Sequence, residues 1–180
     1  MTTFLFVDES KRSDYLIASA AVEQDRAAGL RREVRGLLLP GQRRLHMVKE
    51  RPARQRLILS TVSRSATHVT IYRVPRGSAG GERAHRRRCL DRLIARASAE
   101  RDVHVVLELD ETLLHRDRAT LYAATRRERC AERVRYRHEV AGTEPLLAIP
   151  DAVAWAWAQG GDWRRRASES VSDVIDLGPG

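Results

Sequence analysis

The chain has 180 residues, of which 42% are hydrophobic and 32% charged, a composition typical of one folded domain rather than a disordered segment. It contains no run of about 18 apolar residues and no basic-then-apolar N-terminus, so we expect neither a membrane span nor a signal peptide. The only cysteines, Cys89 and Cys130, do not form a metal-ligand pair, which favours a reducing, cytoplasmic location.

The charge is strongly positive. The chain carries 33 Lys and Arg against 24 Asp and Glu, a net charge of +9, which would suit a polyanion such as nucleic acid. Lysine occurs only at Lys11 and Lys49. A GC-rich genome would explain arginine in place of lysine, but it would not explain the excess of cations over acids.

In the first half of the chain, two apolar runs separated by a polar turn predict an antiparallel strand pair. Apolar residues at helical spacing then predict two helices, and a β-branched stretch predicts a third strand. In chain order these elements are strands Thr3–Val7 and Tyr15–Val22, a helix from Glu23 that stops at Pro40, a helix from Pro52, and strand Thr67–Val74.

The second half continues the mixture of helices and strands, which predicts an α/β domain with a mixed sheet over residues 1–180. One stretch, 134–140, is compatible with a strand or a loop. The predicted elements are helix Glu82–Ala99, strand Val103–Leu109, a helix from Glu111 to about Arg133, an Ala- and Trp-rich helix opened by Pro150, and an edge strand in 171–177.

Acidic residues follow or begin several of these elements. Asp8 ends the first strand, and Asp110 ends a later strand on which Glu108 points to the same side. Glu50 precedes the second helix, and Asp151 lies in the first turn of the Ala- and Trp-rich helix. Two strand ends and two helix starts can converge at one edge of a sheet.

Clustered carboxylates repel one another, and a divalent cation removes that cost. Mg²⁺ and Mn²⁺ prefer oxygen ligands, and two such ions activate water for phosphodiester hydrolysis. Each acid also has a simpler interpretation, because acids are favourable in the first turn of a helix and common in turns after strands. The pattern is therefore compatible with a metal site without being specific for one.

The motifs VDES at the end of the first strand, RRLHMVKE at 43–50 and LLAIPDAVAWAWA at 146–158 occur in an informative order. In this order they resemble a poorly characterised bacterial family of ribonuclease H-like proteins that open with a strand ending Asp-Glu-Ser-Gly. The resemblance implies a ribonuclease H-like fold and metal-binding acids on the first strand, a helix, a later strand and the final helix. Those roles would fall on Asp8, Glu50, Glu108 or Asp110, and Asp151.

The chain departs from the family at one position. The glycine that usually follows the serine is Lys11. A turn that needs a positive φ would then be strained or differently shaped. The lysine could pair with the acids or with a phosphate.

Several other residues are secondary candidates. His46 could orient a water, protonate a leaving group or bind metal, and Trp155, one helical turn after Asp151, could stack on a base or belong to the core. Asp117 could replace a strand acid, whereas alternation directs Glu9 away from the cluster. The cations expected to hold phosphates are Lys11, Arg43, Arg44, Arg51 and Arg54.

The leading hypothesis is a Mg²⁺- or Mn²⁺-dependent nuclease or nuclease-like phosphodiesterase that uses water as the nucleophile. The first alternative is a non-catalytic nucleic-acid-binding module on the same fold. The second is a protein-interaction module whose basic surface meets an acidic partner.

Overall fold

The computed structural model describes residues 1–178, which form six β-strands and six α-helices. The strands are β1 (Thr3–Ser10), β2 (Tyr15–Glu23), β3 (His68–Val74), β4 (Val103–Glu108), β5 (Val134–Glu139) and β6 (Val171–Asp176). The helices are α1 (Gln24–Gly36), α2 (Pro52–Arg64), α3 (Glu82–Ala97), α4 (Glu111–Arg127), α5 (Ala148–Gln159) and α6 (Gly161–Ala167). None of the helices within residues 1–178 has the length and apolar character needed to cross a membrane.

All six strands belong to one sheet, in the order β5-β4-β1-β2-β3-β6. The meander β1-β2-β3 is antiparallel, whereas β4 lies parallel to β1, β5 parallel to β4, and β6 parallel to β3. This confirms the predicted fold class, an α/β mixed sheet flanked by helices and consistent with a ribonuclease H-like fold.

The pairing of β1 with β4 brings two acids to the same end of the sheet. Val7 lies opposite Leu107 in this parallel pair, so Asp8 and Glu108 follow together in the same register. Partners in a parallel pair share a face, so both carboxylates lie on one side of the sheet.

Side-chain alternation on these strands builds a separate hydrophobic core on each face. Phe6 and Val106 contribute to the core formed with α1, α2 and α5. Val7 and Leu107 contribute to the core formed with α3 and α4. Asp8 therefore belongs to the face that α5 covers, and Glu9 belongs to the face that α3 covers.

Several predicted boundaries were wrong. The helix expected to reach about Arg133 ends at Arg127, because Arg129 adopts φ 52° and the Cys130 N–H bonds back to the Thr125 carbonyl. The Ala- and Trp-rich helix begins at Ala148. Pro150 fits in its first turn, because backbone N–H groups there have no carbonyl partner within the helix and proline lacks the N–H.

Other differences concern short elements. Strand β1 continues to Ser10, three residues past the predicted end at Val7, and the undecided stretch 134–140 contains β5. The predicted C-terminal edge strand is confirmed as β6. Helix α6 was not predicted, because seven residues that include three consecutive arginines carry no clear apolar period.

Candidate functional site

An open cavity of about 740 Å³ lies where the C-terminal end of β1 meets the end of β4 and the first turns of α5. Its wall includes the side chains of Asp8, Glu108 and Asp151. These three acids come from β1, β4 and α5, and each acid lies more than 40 residues from the other two in the sequence. Cations from the turn after β1 and from the segment before α2 complete the rim.

Asp8 is the central acid of this group. It is half-buried, and one carboxylate oxygen accepts a hydrogen bond from the Glu9 backbone N–H at 2.8 Å. Burial, followed by the negative charges of Asp151 and Glu108, raises the pKa of Asp8 well above its ordinary value. Asp151 and Glu108 are therefore close enough to Asp8 to disfavour its ionisation.

Asp151 is buried in the first turn of α5 and bonds to the segment that precedes α2. Its Oδ2 accepts a hydrogen bond from the Met47 backbone N–H at 2.9 Å and lies 3.5 Å from His46 Nδ1. The Met47 carbonyl in turn accepts a hydrogen bond from Gln55 Nε2 at 2.8 Å. These contacts place His46, a secondary candidate from the sequence, beside Asp151 in the cavity wall.

Glu108 is paired with a cation inside the cavity. Arg44 Nη1 donates a hydrogen bond to Glu108 Oε1, and both residues line the cavity. Arg44 comes from the irregular segment between α1 and the short 3₁₀ turn at Met47–Lys49. The cation compensates part of the charge that the three acids bring together.

Asp110, the sequence alternative to Glu108, has a different position. It is exposed and caps the N-terminus of α4, accepting hydrogen bonds from the Thr112 hydroxyl at 2.6 Å and the Thr112 N–H at 2.9 Å. The hydrogen bond from the Thr112 hydroxyl, followed by the one from the Thr112 N–H, lowers the pKa of Asp110 below its ordinary value. Asp110 does not line the cavity that contains Asp8 and Asp151 together; it lines a neighbouring one, which Asp8 and Glu108 also border.

Glu50 also lies outside the cavity wall. It directly follows the 3₁₀ turn, two residues before α2, and its side chain is only 6% exposed. Its carboxylate accepts hydrogen bonds from Gln42 Nε2 and from Arg54 Nε, and Arg54 also donates to the Leu37 carbonyl. In this structure Glu50 fastens the irregular segment before α2 instead of joining the other acids.

The predicted phosphate-binding cations are dispersed. Lys11 and Arg44 line the cavity, whereas Arg43, Arg51 and Arg54 do not. Lys11 Nζ lies 2.9 Å from Glu9 Oε1 and 3.3 Å from Glu82 Oε2, so its ion-pair partners are acids other than Asp8.

Sequence reasoning missed several residues of the wall, among them Arg12, Val48, Gln55 and Gln159. Arg12 followed Lys11 without any distinguishing pattern. Gln55 occupies the buried side of α2, and a polar residue within an apolar stripe is the one signal that could have identified it. Trp155, predicted as a secondary candidate, does line the cavity.

The donor set suits a hard cation, but its side chains are already engaged. Asp8, Glu108 and Asp151 offer only carboxylate oxygens, which Mg²⁺ and Mn²⁺ prefer. Among the 178 residues described, no group of three or more His, Cys, Asp or Glu side chains is already arranged to hold a metal ion. Arg44 bonds to Oε1 of Glu108, and the Met47 N–H bonds to Oδ2 of Asp151, so each of these carboxylates already has one oxygen engaged.

We also compared the sequence with protein-family models and with curated proteins, and neither comparison found a match. Interpretation of the site therefore depends on its own residues. Three carboxylates from separate elements, cations on the rim and one aromatic side chain line a single open cavity at one end of the sheet, and Glu9, which is paired with Lys11, borders it as well.

Proposed function

We propose that this protein is a divalent-metal-dependent phosphodiesterase of the nuclease type that acts on nucleic acid. The observation that carries the proposal is the shared cavity of Asp8, Glu108 and Asp151. Carboxylates gathered from three elements repel one another, which a purely structural cluster would have little reason to retain. The net charge of +9 supports a polyanionic substrate.

Asp8, Glu108 and Asp151 would hold Mg²⁺ or Mn²⁺. When bound, such ions activate a water nucleophile and stabilise the leaving oxygen of a phosphodiester. The raised pKa of Asp8 supports this assignment, because a carboxylate beside other acids and without a cation partner gains most from a nearby cation. Glu50 and Asp110 are left out of the proposed ligand set because they lie outside this cavity.

The other residues of the wall have positioning roles in this proposal. Lys11 and Arg12 lie on the rim, where a cation can hold a substrate phosphate beside the acids. Arg44 can exchange its Glu108 partner for a phosphate oxygen. His46, 3.5 Å from Asp151, is placed to orient a water or to donate a proton to a leaving oxygen.

Cleavage assays with Mn²⁺ or Mg²⁺ test the proposal on single-stranded RNA, single-stranded DNA, their duplexes and an RNA–DNA hybrid. We expect wild-type cleavage that a chelator abolishes, and a loss of at least 100-fold in Asp8→Asn and Asp151→Asn. Asp110→Asn is the matched control, since it removes a carboxylate two residues beyond β4, and asparagine still caps a helix. Full activity in Asp8→Asn, or an inactive wild type on every substrate, would contradict the proposal.

Two observations favour a second candidate, a nucleic-acid-binding module without catalysis. Arg44 already neutralises Glu108, and no ligand set is preformed within residues 1–178. This alternative predicts salt-sensitive nucleic-acid binding that persists in chelator and in Asp8→Asn, with no cleavage under any metal condition.

A further inference from the structure

An aromatic side chain forms part of the wall that holds the acids. Trp155 lies one helical turn after Asp151 on α5, and both residues line the same cavity. The indole is half-buried, so it packs on the core and still borders the open space. An aromatic ring beside a phosphodiester-binding centre is in position to meet the base of the nucleotide bound there.

The Trp155 ring packs against a second tryptophan. Its centroid lies 5.0 Å from that of Trp163 on α6, with the ring planes at 68°, an edge-to-face contact. The Arg56 guanidinium lies 5.6 Å from the centroid of the Trp163 ring. A side chain held by such neighbours loses little conformational freedom when it binds a ligand.

The rest of the wall adds an apolar contact and positive charge. Val48, which follows Met47 in the 3₁₀ turn, lines the cavity and is 69% exposed, unusually open for an aliphatic side chain. Lys11 and Arg12 contribute cations. A flat apolar group joined to a phosphate, which is a nucleotide, matches this combination of surfaces.

We infer that the cavity binds single-stranded nucleic acid, with one base stacked on Trp155 and the adjacent phosphate beside the acids. The inference deepens the proposed function and rests on it for the identity of the substrate. In a duplex each base face is covered by its neighbours, so only an unpaired or extruded base can stack on a side chain.

Binding measurements in chelator test the inference without cleavage. The probes are fluorescently labelled 12-nucleotide oligo(dT) and oligo(U) and their duplexes, followed by anisotropy. We expect tighter binding of the single strands, and about a tenfold or greater loss of that binding in Trp155→Ala, as for the loss of one base stack. Trp155→Phe should retain most of the affinity, and duplex binding should be unchanged.

Trp157→Ala is the matched control. Trp157 lies on the same helix, is also half-buried and packs on the same core, but its ring is covered by Arg164 at 5.2 Å and does not line the cavity. It should bind single strands like the wild type. Single-strand affinity that is unchanged in Trp155→Ala, or lowered equally in Trp155→Ala and Trp157→Ala, overturns the inference.

Quenching of tryptophan fluorescence gives a second measurement that does not require Trp155→Ala to fold. A stacked indole is quenched when the oligonucleotide binds, so quenching should persist in Trp157→Phe and be strongly reduced in Trp155→Phe, where Trp163 remains as the nearest indole. Equal quenching in both variants overturns the inference.

These results separate the inference from the proposed function. Trp155-dependent single-strand binding without hydrolysis under any metal condition supports the inference and rejects the enzyme. Equal cleavage of duplex and single strand, unaffected by Trp155→Ala, rejects the inference and leaves the enzyme intact.

Discussion

Arg44 donates a hydrogen bond to the Glu108 carboxylate inside the cavity that Asp8 and Asp151 also line. An internal cation therefore occupies a carboxylate that a divalent ion would need. Arginine and the metal compete for Glu108, and this competition makes the contribution of Arg44 measurable.

Replacing Arg44 by Ala should strengthen Mn²⁺ binding about fivefold, because it removes an ion pair worth about 1 kcal/mol that the metal must otherwise break. Isothermal titration calorimetry measures the affinity directly. Arg43→Ala is the control, since Arg43 does not line the cavity with the three acids. Weaker Mn²⁺ binding in Arg44→Ala than in Arg43→Ala would show that Glu108 is not a ligand.

Asp8→Asn should stabilise the metal-free protein, because it removes a charge that burial and the neighbouring acids disfavour. Asparagine is nearly the same size and keeps an acceptor for the Glu9 N–H. A gain of about 1 kcal/mol would raise the melting temperature by roughly 2–4 °C in a domain of this size. Thermal melts in chelator provide the measurement.

The control for that melt is Asp110→Asn. The Thr112 hydrogen bonds lower the pKa of Asp110, so its charged form is favoured in the folded state and its removal should not stabilise. Equal stabilisation by both substitutions would mean that the loss of any one carboxylate charge, and not the position of Asp8 in the cavity, explains the effect.

A second cluster of hydrogen-bonded polar side chains lies on the opposite face of the sheet, which α3 covers. Arg86 on α3 binds both carboxylate oxygens of Asp117, at 2.7 and 2.8 Å, and also Glu9 at 2.6 Å. His138 Nε2 lies 3.2 Å from Asp117, and the Tyr15 hydroxyl donates to Glu9. This assigns Asp117 and Glu9 a structural role on the α3 side of the sheet.

Arg86→Ala should cost about 3–5 kcal/mol of unfolding free energy, because it leaves the buried Asp117 carboxylate without its arginine. Arg86→Lys should fall between that variant and the wild type, since lysine keeps the charge but cannot form the two-pronged bond. Urea denaturation measures the loss. Arg87→Ala, at an exposed neighbour on the same helix, should change stability by less than about 0.5 kcal/mol, and a similar loss there would contradict this assignment.

The same cluster predicts a dependence of stability on pH. Burial acts to raise the pKa of Asp117, but hydrogen bonds from Arg86 and His138 outweigh it and lower the pKa below its ordinary value of 3.8. The folded protein therefore holds the Asp117 proton less tightly than the unfolded chain does. The ionised Asp117 therefore contributes fully to stability above pH 3.8, the ordinary pKa. This contribution is lost as the pH falls through the lower pKa that Asp117 has in the folded protein.

Urea midpoints of wild type and Asp117→Asn, measured from pH 7 down to pH 3, check this dependence. The difference between the urea midpoints of wild type and Asp117→Asn should become smaller as the pH falls below 3.8. An advantage that stays constant over the whole range would show that Asp117 acts through packing instead of through its charge.

Local patterns were sufficient for most elements. Alternation in the first strand predicts opposite faces for Asp8 and Glu9. Asp8 shares its face with Phe6 and α5, and the Glu9 carboxylate bonds to Arg86 on α3, although both residues border the cavity. Helical spacing relates Asp151 to Trp155, and both line the cavity. These relationships hold because residues two apart on a strand, or four apart on a helix, share a face.

Tertiary structure decided the remaining site residues. The sequence left Glu108 and Asp110 as alternatives, and what separates them is that β4 ends at Glu108 in register with Asp8 while Asp110 caps α4. The position of Glu50 depends on the path of the irregular segment before α2, which Gln42 and Arg54 fasten.

The sequence by itself determined the fold class and the elements that carry Asp8 and Asp151, because hydrophobic periodicity and strand alternation are local. The parallel pairing of β1 with β4, the ion pairs of Lys11 and the contact between Arg44 and Glu108 join residues from different elements. Only the tertiary structure decided these, because long-range packing and charge compensation select among partners that are equally compatible with the local sequence.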